Sequence, residues 1–249
     1  MLPIFKSDFS IGKSILTLNH PKDVEDEEES DSIFSIALEN NLSEIILVED
    51  SLAGFLQAHK SSKDLGLKLI FGLRISVSNS KDKDSEKSKI IIFAKNDAGC
   101  KLLNKIYSFA YVELNGFIDF DSLKDFFTED LLIAVPFYDS FIFNNIFNFK
   151  SCIPDFSFCT PEFFIEKNNL PFDSILENRV KLYCKDNNYK NTLVKSIYYK
   201  SKKDFICFQT YKCICNRSFS KSRTLESPNF DHLSSDEFSF ESYLNYESP

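Results

Sequence analysis

Short apolar runs alternate with amphipathic stretches along the first 150 residues. Glu44–Val48 (EIILV), Lys68–Phe71 (KLIF), Lys89–Ala94 (KIIIFA) and Leu131–Val135 (LLIAV) are continuous enough to be strands buried on both faces. Another strand is expected near residues 2–6. Between the runs, apolar positions recur at helical spacing. Ser51 can cap a helix carrying Leu52, Phe55, Leu56 and His59 on one face and ending near Gly66. Asn96 can cap a second, with Leu102, Leu103, Ile106, Phe109 and Ala110 in phase. Shorter helices are expected at Ile33–Leu38 and around Ser122–Phe127. Buried strands separated by helices predict βαβ units and a parallel sheet.

Two polar stretches interrupt this pattern and read as surface loops: the acidic Asp23–Ser32 (DVEDEEESDS) and the mixed-charge Ser78–Ser88 (SNSKDKDSEKS). The alternation weakens after residue 150, where Pro154, Pro161 and Pro171 break the chain. An apolar-basic stretch runs from Thr192 to Asn216. Ser234–Asn245 (SSDEFSFESYLN) can form a short amphipathic helix anchored by Phe238 and by Tyr243 or Leu244.

Composition narrows the possibilities. With 249 residues, 43% hydrophobic and 27% charged, the chain is long enough and apolar enough for one large folded domain, or for one domain plus a small appendage. Its six glycines all lie at or before Gly116, which excludes a glycine-rich phosphate loop from the second half. No apolar run approaches the roughly 18 residues of a membrane span. The opening MLPIFKSDFS is too short an apolar stretch for a signal peptide, being cut by Lys6 and Asp8. The seven cysteines, odd in number and irregular in spacing, read as reduced thiols in a cytoplasm. Cys207, Cys213, Cys215 and His232 can be imagined as a zinc site, but no C-x2-C pair supports it.

The net charge of −8 is unevenly spread. Residues 1–178 hold 17 Lys/Arg against 29 Asp/Glu, residues 179–223 hold 12 against two, and residues 224–249 hold none against six. The basic block can face nucleic acid, an acidic partner or the chain's own acidic remainder. An acidic whole argues against strong DNA binding by the chain alone.

Gly12-Lys13-Ser14 resembles the end of a phosphate loop, but the glycine five residues before Gly12 is replaced by Ser7, so the motif is a decoy. No G-x-G occurs, and the three histidines read as structural or solvated. A more specific signal is a set of phrases in fixed order: KSDFS at Lys6–Ser10, VEDSLAG at Val48–Gly54, GLKLIFGLRISV at Gly66–Val77, KIIIFAKNDAGCKLLNKIYSFAYVE at Lys89–Glu113, FFIEKNNLPFD at Phe163–Asp173 and SIYYKSKKDFICFQTYKCIC at Ser196–Cys215. Together they resemble the PHP (polymerase and histidinol phosphatase) domain at the start of the bacterial or phage DNA polymerase III alpha subunit. The AKN and SFAY of the fourth phrase carry the resemblance best. The residue usage, rich in Phe, Lys, Asn, Ile and Ser, suits a phage or small-genome source.

The resemblance implies an α/β fold, a distorted (β/α)7 barrel of the PHP type, over residues 1–223, followed by an acidic C-terminal tail at 224–249. It also implies a cluster of divalent metals held by His and carboxylates at the barrel mouth. In this sequence those posts fall on Ile4, Lys6, Glu49, Asp50, Arg74, Lys89, Asn168, Ser196 and Tyr198. Glu49 and Asp50 alone among them are plausible ligands, and three have become cations. Neither catalytic nor metal-binding residues, and no cofactor, are therefore expected. Lys6, Arg74 and Lys89 are expected to pair with Glu49, Asp50 and Asp8 in place of the metals; a decayed mouth and a phosphate-holding mouth stand as alternatives.

The chain stops where a polymerase palm would begin. The resemblance thus implies a catalytically degenerate module with a structural or docking role in DNA replication, bound to a polymerase body encoded elsewhere or to other replication proteins, touching DNA only indirectly and no membrane. The alternatives are a metal-dependent phosphoesterase or 3′–5′ exonuclease of the PHP family and a generic α/β binding module.

Overall fold

The computed structural model describes residues 1–23, 31–150, 152–215, 225 and 235–247. Eight strands are joined in one sheet: β1 (Leu2–Phe5), β2 (Glu44–Glu49), β3 (Lys68–Ser78), β4 (Lys87–Ala94), β5 (Phe117–Asp119), β6 (Leu131–Val135), β7 (Glu162–Ile165) and β8 (Lys190–Ile197). Seven of them close a ring in the order β2-β1-β8-β7-β6-β4-β3, with β3 returning to β2, while β5 attaches outside the ring along β3. Helices α1 (Ile33–Glu39), α2 (Phe55–Asp64), α3 (Asp97–Val112), α4 (Phe120–Phe126), α5 (Phe141–Phe147), α6 (Asp173–Asn187) and α7 (Phe205–Cys215) follow the strands, and α8 (Phe240–Glu247) ends the described chain. This is the closed α/β barrel that the resemblance implies.

Alternation along the strands divides the core in two. Ile4, Ile46, Val48, Ile91, Phe93, Ala134, Phe164 and Val194 point inward and fill the barrel. The intervening residues, such as Phe5, Leu47, Ile92, Ile133, Phe163 and Ile197, point outward into a larger core shared with the helices. Gly72 serves the inner layer: a Cβ there would stand 2.6 Å from the Phe93 ring.

The strand runs read from the sequence lie where expected, but β4 runs antiparallel to both β3 and β6. The connection from Ser78 to Lys87 is too short for a crossover helix, which takes a dozen residues or more, so the chain turns straight back. Helix α3 starts as predicted, its Asn96 Oδ1 accepting from the Gly99 amide at 2.9 Å. Helix α2 begins later than Ser51 implies, at Phe55, with Gly54 at the cap position. Of the predicted acidic loop, residues 24–30 lie outside the described residues, as do residue 232 of the imagined zinc site and 216–223 of the basic block. The strands β7 and β8 complete the ring in the region where the pattern fades.

Candidate functional site: the barrel mouth

The inward faces of the strands continue past the apolar layer to one more residue each. Two positions beyond Ile4 is Lys6; two beyond Val48 is Asp50; two beyond Gly72 is Arg74. Two beyond Phe164 is Glu166, and two beyond Val194 is Ser196. Because β4 is antiparallel, its mouth residue precedes the core residue: Lys89 stands two before Ile91 and pairs with Ser76. A two-residue period thus carries polar side chains from six strands to one end of the barrel.

These side chains form two clusters. In the first, Lys6 Nζ and Arg74 Nη1 approach the same oxygen, Asp50 Oδ1, at 3.2 and 3.6 Å. Arg74 Nη2 also holds Asp139 Oδ2, at 2.5 Å. Lys89 Nζ donates to Ser76 Oγ at 2.8 Å. Burial would raise the Asp50 carboxyl, but Lys6, Arg74 and Lys89 together hold it below the usual carboxylate range. Burial would lower Arg74, yet Asp139 and Asp50 keep its guanidinium charged well above its ordinary value. Burial dominates at the lysines: it lowers Lys6 despite Asp50, and with help from Arg74 it brings Lys89 down to about 8.

In the second cluster Glu166 accepts from Ser196 Oγ (2.9 Å), the Ser196 amide (3.2 Å) and Asn168 Nδ2 (3.0 Å). Asn168 Nδ2 also reaches Tyr138 Oη at 3.1 Å, and Tyr138 donates to Asp173 Oδ1 at 2.9 Å. Burial raises the Glu166 carboxyl. Tyr198 stacks on Phe238 at 5.3 Å and on Phe208 at 5.7 Å. Lys6, Arg74, Tyr138, Glu166, Ser196 and Tyr198 surround a cavity of about 40 Å³. That is room for about two or three waters.

Of the positions singled out in the sequence, Lys6, Asp50, Arg74 and Lys89 come together as one network, and Asn168, Ser196 and Tyr198 line its neighbour. Ile4 belongs to the apolar layer beneath. Glu49 faces the other way: it accepts from the Ser7 amide at 2.8 Å and from Ser10 Oγ, pinning the loop after β1. Strand alternation explains this, since Asp50 and Glu49 are adjacent and cannot both face inward. Asp8 lies exposed on that same loop. Asp139 and Glu166 went unnoticed in the sequence, although Glu166 stands at the two-residue spacing from Phe164 that would have found it.

The donor set does not fit a divalent metal cluster. The one inward carboxylate of the first cluster is shared by two cations, and cations neither donate lone pairs nor tolerate a divalent neighbour. Among the described residues no group of three or more His, Cys, Asp or Glu is arranged to hold a metal.

Several described cations of the basic block pair with the chain's own acids. Lys190 pairs with Glu162, Lys195 with Glu237, Lys200 with Asp31 and Glu39, and Lys202 with Asp236 and Glu237. No described helix is long and apolar enough to cross a membrane.

Residues 27–150 match the family model of the PHP domain. No curated protein matches the chain. Among solved structures the chain is similar to a protein of Bifidobacterium adolescentis provisionally described as a metal-dependent phosphoesterase. The likeness covers 78% of this chain and 87% of that one, at 10% identity and a TM-score of 0.45.

Proposed function

From a chain whose residues 27–150 carry a PHP domain, we propose a PHP module in which an ion-pair network stands where the family would hold catalytic metals. Its role is structural or partner-docking within a replicative DNA polymerase of the III alpha type, as its sequence phrases imply. The observation that supports this reading best is the convergence of Lys6 and Arg74 on Asp50 Oδ1. The oxygen a metal would use is already neutralised twice. On this reading the chain itself is a pseudoenzyme without cofactor. Its partner is a polymerase body encoded elsewhere or another replication protein, DNA is reached only through that partner, and the setting is cytoplasmic.

The test is elemental analysis of the purified chain, melting with and without chelator, and capture of the polymerase body. The expected result is no stoichiometric zinc, manganese or iron, an unchanged Tm, and capture. Bound metal with hydrolysis of a phosphate ester would overturn it in favour of a metal-dependent phosphoesterase or 3′–5′ exonuclease. Metal-free protein that ignores the polymerase body would remove the replication role.

A further inference from the structure

The seven-strand ring closes through β1–β8 and β2–β3 without help from the end of the chain. Residues 235–247 lie across it afterwards. Their backbone meets the exit of β8 in a few places: Tyr198 N donates to Phe238 O (2.9 Å), Phe240 N to Tyr199 O (3.0 Å) and Glu241 N to Lys200 O (3.0 Å). The remaining attachment is made by side chains. Phe238 is fully buried against Tyr198 and Tyr138, two walls of the mouth cavity. Phe240 stacks on Phe5 at 5.8 Å, and Tyr243 packs on Phe240.

Charge then selects what fits. Lys195 is wholly buried, and its ammonium meets Glu237 at 3.3 Å, the Lys167 carbonyl at 3.0 Å and the Tyr246 ring at 5.6 Å. Two of these three partners belong to the crossing segment. Glu237 also takes Lys202 Nζ at 2.8 Å and Asn169 Nδ2 at 3.2 Å. A buried ammonium needs such partners, so the barrel surface is built to receive a carboxylate here.

We propose that residues 235–247 form a displaceable strap seated in a peptide-recognition groove, and that the groove reads a carboxylate at Glu237 followed by the aromatics Phe238, Phe240 and Tyr243. The occupant is this chain's own segment. Its release bares the Tyr138–Tyr198 wall of the mouth cavity while the ring stays closed. The strap is thus a cover over the barrel mouth, and the groove is the surface through which a like acidic-aromatic peptide would compete. This is independent of whether the mouth once held metal.

Hydrogen exchange on the intact chain tests the proposal, with a labelled synthetic peptide of residues 235–249 as the second arm. Strap amides should exchange by local opening well before those of β2 and β6. Glu237→Gln should speed strap exchange by about tenfold to a hundredfold while leaving β2 and β6 unchanged, as expected for losing a charge-assisted contact to a buried lysine. The labelled peptide should bind the full-length Phe238→Ala chain, whose own strap is weakened, and the same peptide carrying Glu237→Gln should bind at least about tenfold more weakly. Strap and ring amides exchanging together would make the segment an integral part of the barrel and overturn the proposal. So would a folded Phe238→Ala chain that ignores the peptide. Should Phe238→Ala not fold, exchange in the Glu237→Gln chain decides alone.

Discussion

Arg74 and Asp50 face each other across the barrel mouth with Nη1 and Oδ1 3.6 Å apart, at inward positions on neighbouring strands. The Arg74 side chain is only 12% exposed. Its charge is balanced by Asp50 on one side and Asp139 on the other, so the mouth depends on all three. A buried pair of this kind is weak evidence for net stability, because desolvation offsets the attraction; breaking it is costly, because one charge is left alone.

Replacement of Arg74 by glutamate therefore has a definite expected sign. Arg74→Glu places a third carboxylate beside Asp50 and Asp139 and leaves Lys6 as their nearest counterion. The variant should lose about 3–5 kcal/mol in urea unfolding. Equal or greater stability would mean that the network does not hold the strand ends.

Acid should weaken the same network. Asp50 has a folded pKa below its unfolded value, so its stabilisation is present above about pH 4 and is lost as pH falls through the lower folded value. Asp50→Asn should be less stable than the parent at pH 7, and the gap should narrow towards pH 2. The measurement is the midpoint of urea unfolding of both proteins across that range.

At the alkaline end Lys89 acts in the opposite sense. Its folded pKa of about 8 lies below the model-peptide value, so the unfolded chain binds the extra proton between the two. Stability should rise with pH from about 8 towards 10, by about 1–3 kcal/mol from this group. Lys89→Met should flatten that rise. Identical alkaline profiles for parent and variant would show that Lys89 titrates as a solvated lysine.

Gly72→Ala tests the inner layer. The added Cβ would meet Phe93 at 2.6 Å and Ile91 at 2.9 Å, inside a barrel already filled by both. The Phe93 ring and the Ile91 side chain would both have to give way, so a loss of about 1–3 kcal/mol is expected in thermal or urea unfolding. A neutral result would mean that the barrel interior is less tightly filled than its contacts indicate.

Much of this protein was legible in the sequence because the signals were local. Continuous apolar runs at 44–48, 89–94 and 131–135 announce strands buried on both faces, and Asn96 announces the start of α3. Lys6, Asp50, Arg74 and Lys89 could be singled out from the sequence, and they meet as one network at the barrel mouth. Other features depended on neighbours distant in the chain. Strand β8 was obscured by Lys195, a buried charge whose partners, the Lys167 carbonyl, the Tyr246 ring and Glu237 from 42 residues away, come from distant parts of the chain. The reversal of β4 followed from the length of one loop, while its second partner, β6, had to come from elsewhere. Local pattern determined which residues are strands, which are helices and what each mouth residue can do chemically. Tertiary structure decided which of two adjacent acids, Glu49 or Asp50, faces the cations, and that Asp139 joins them, because facing and pairing are set by closure of the ring.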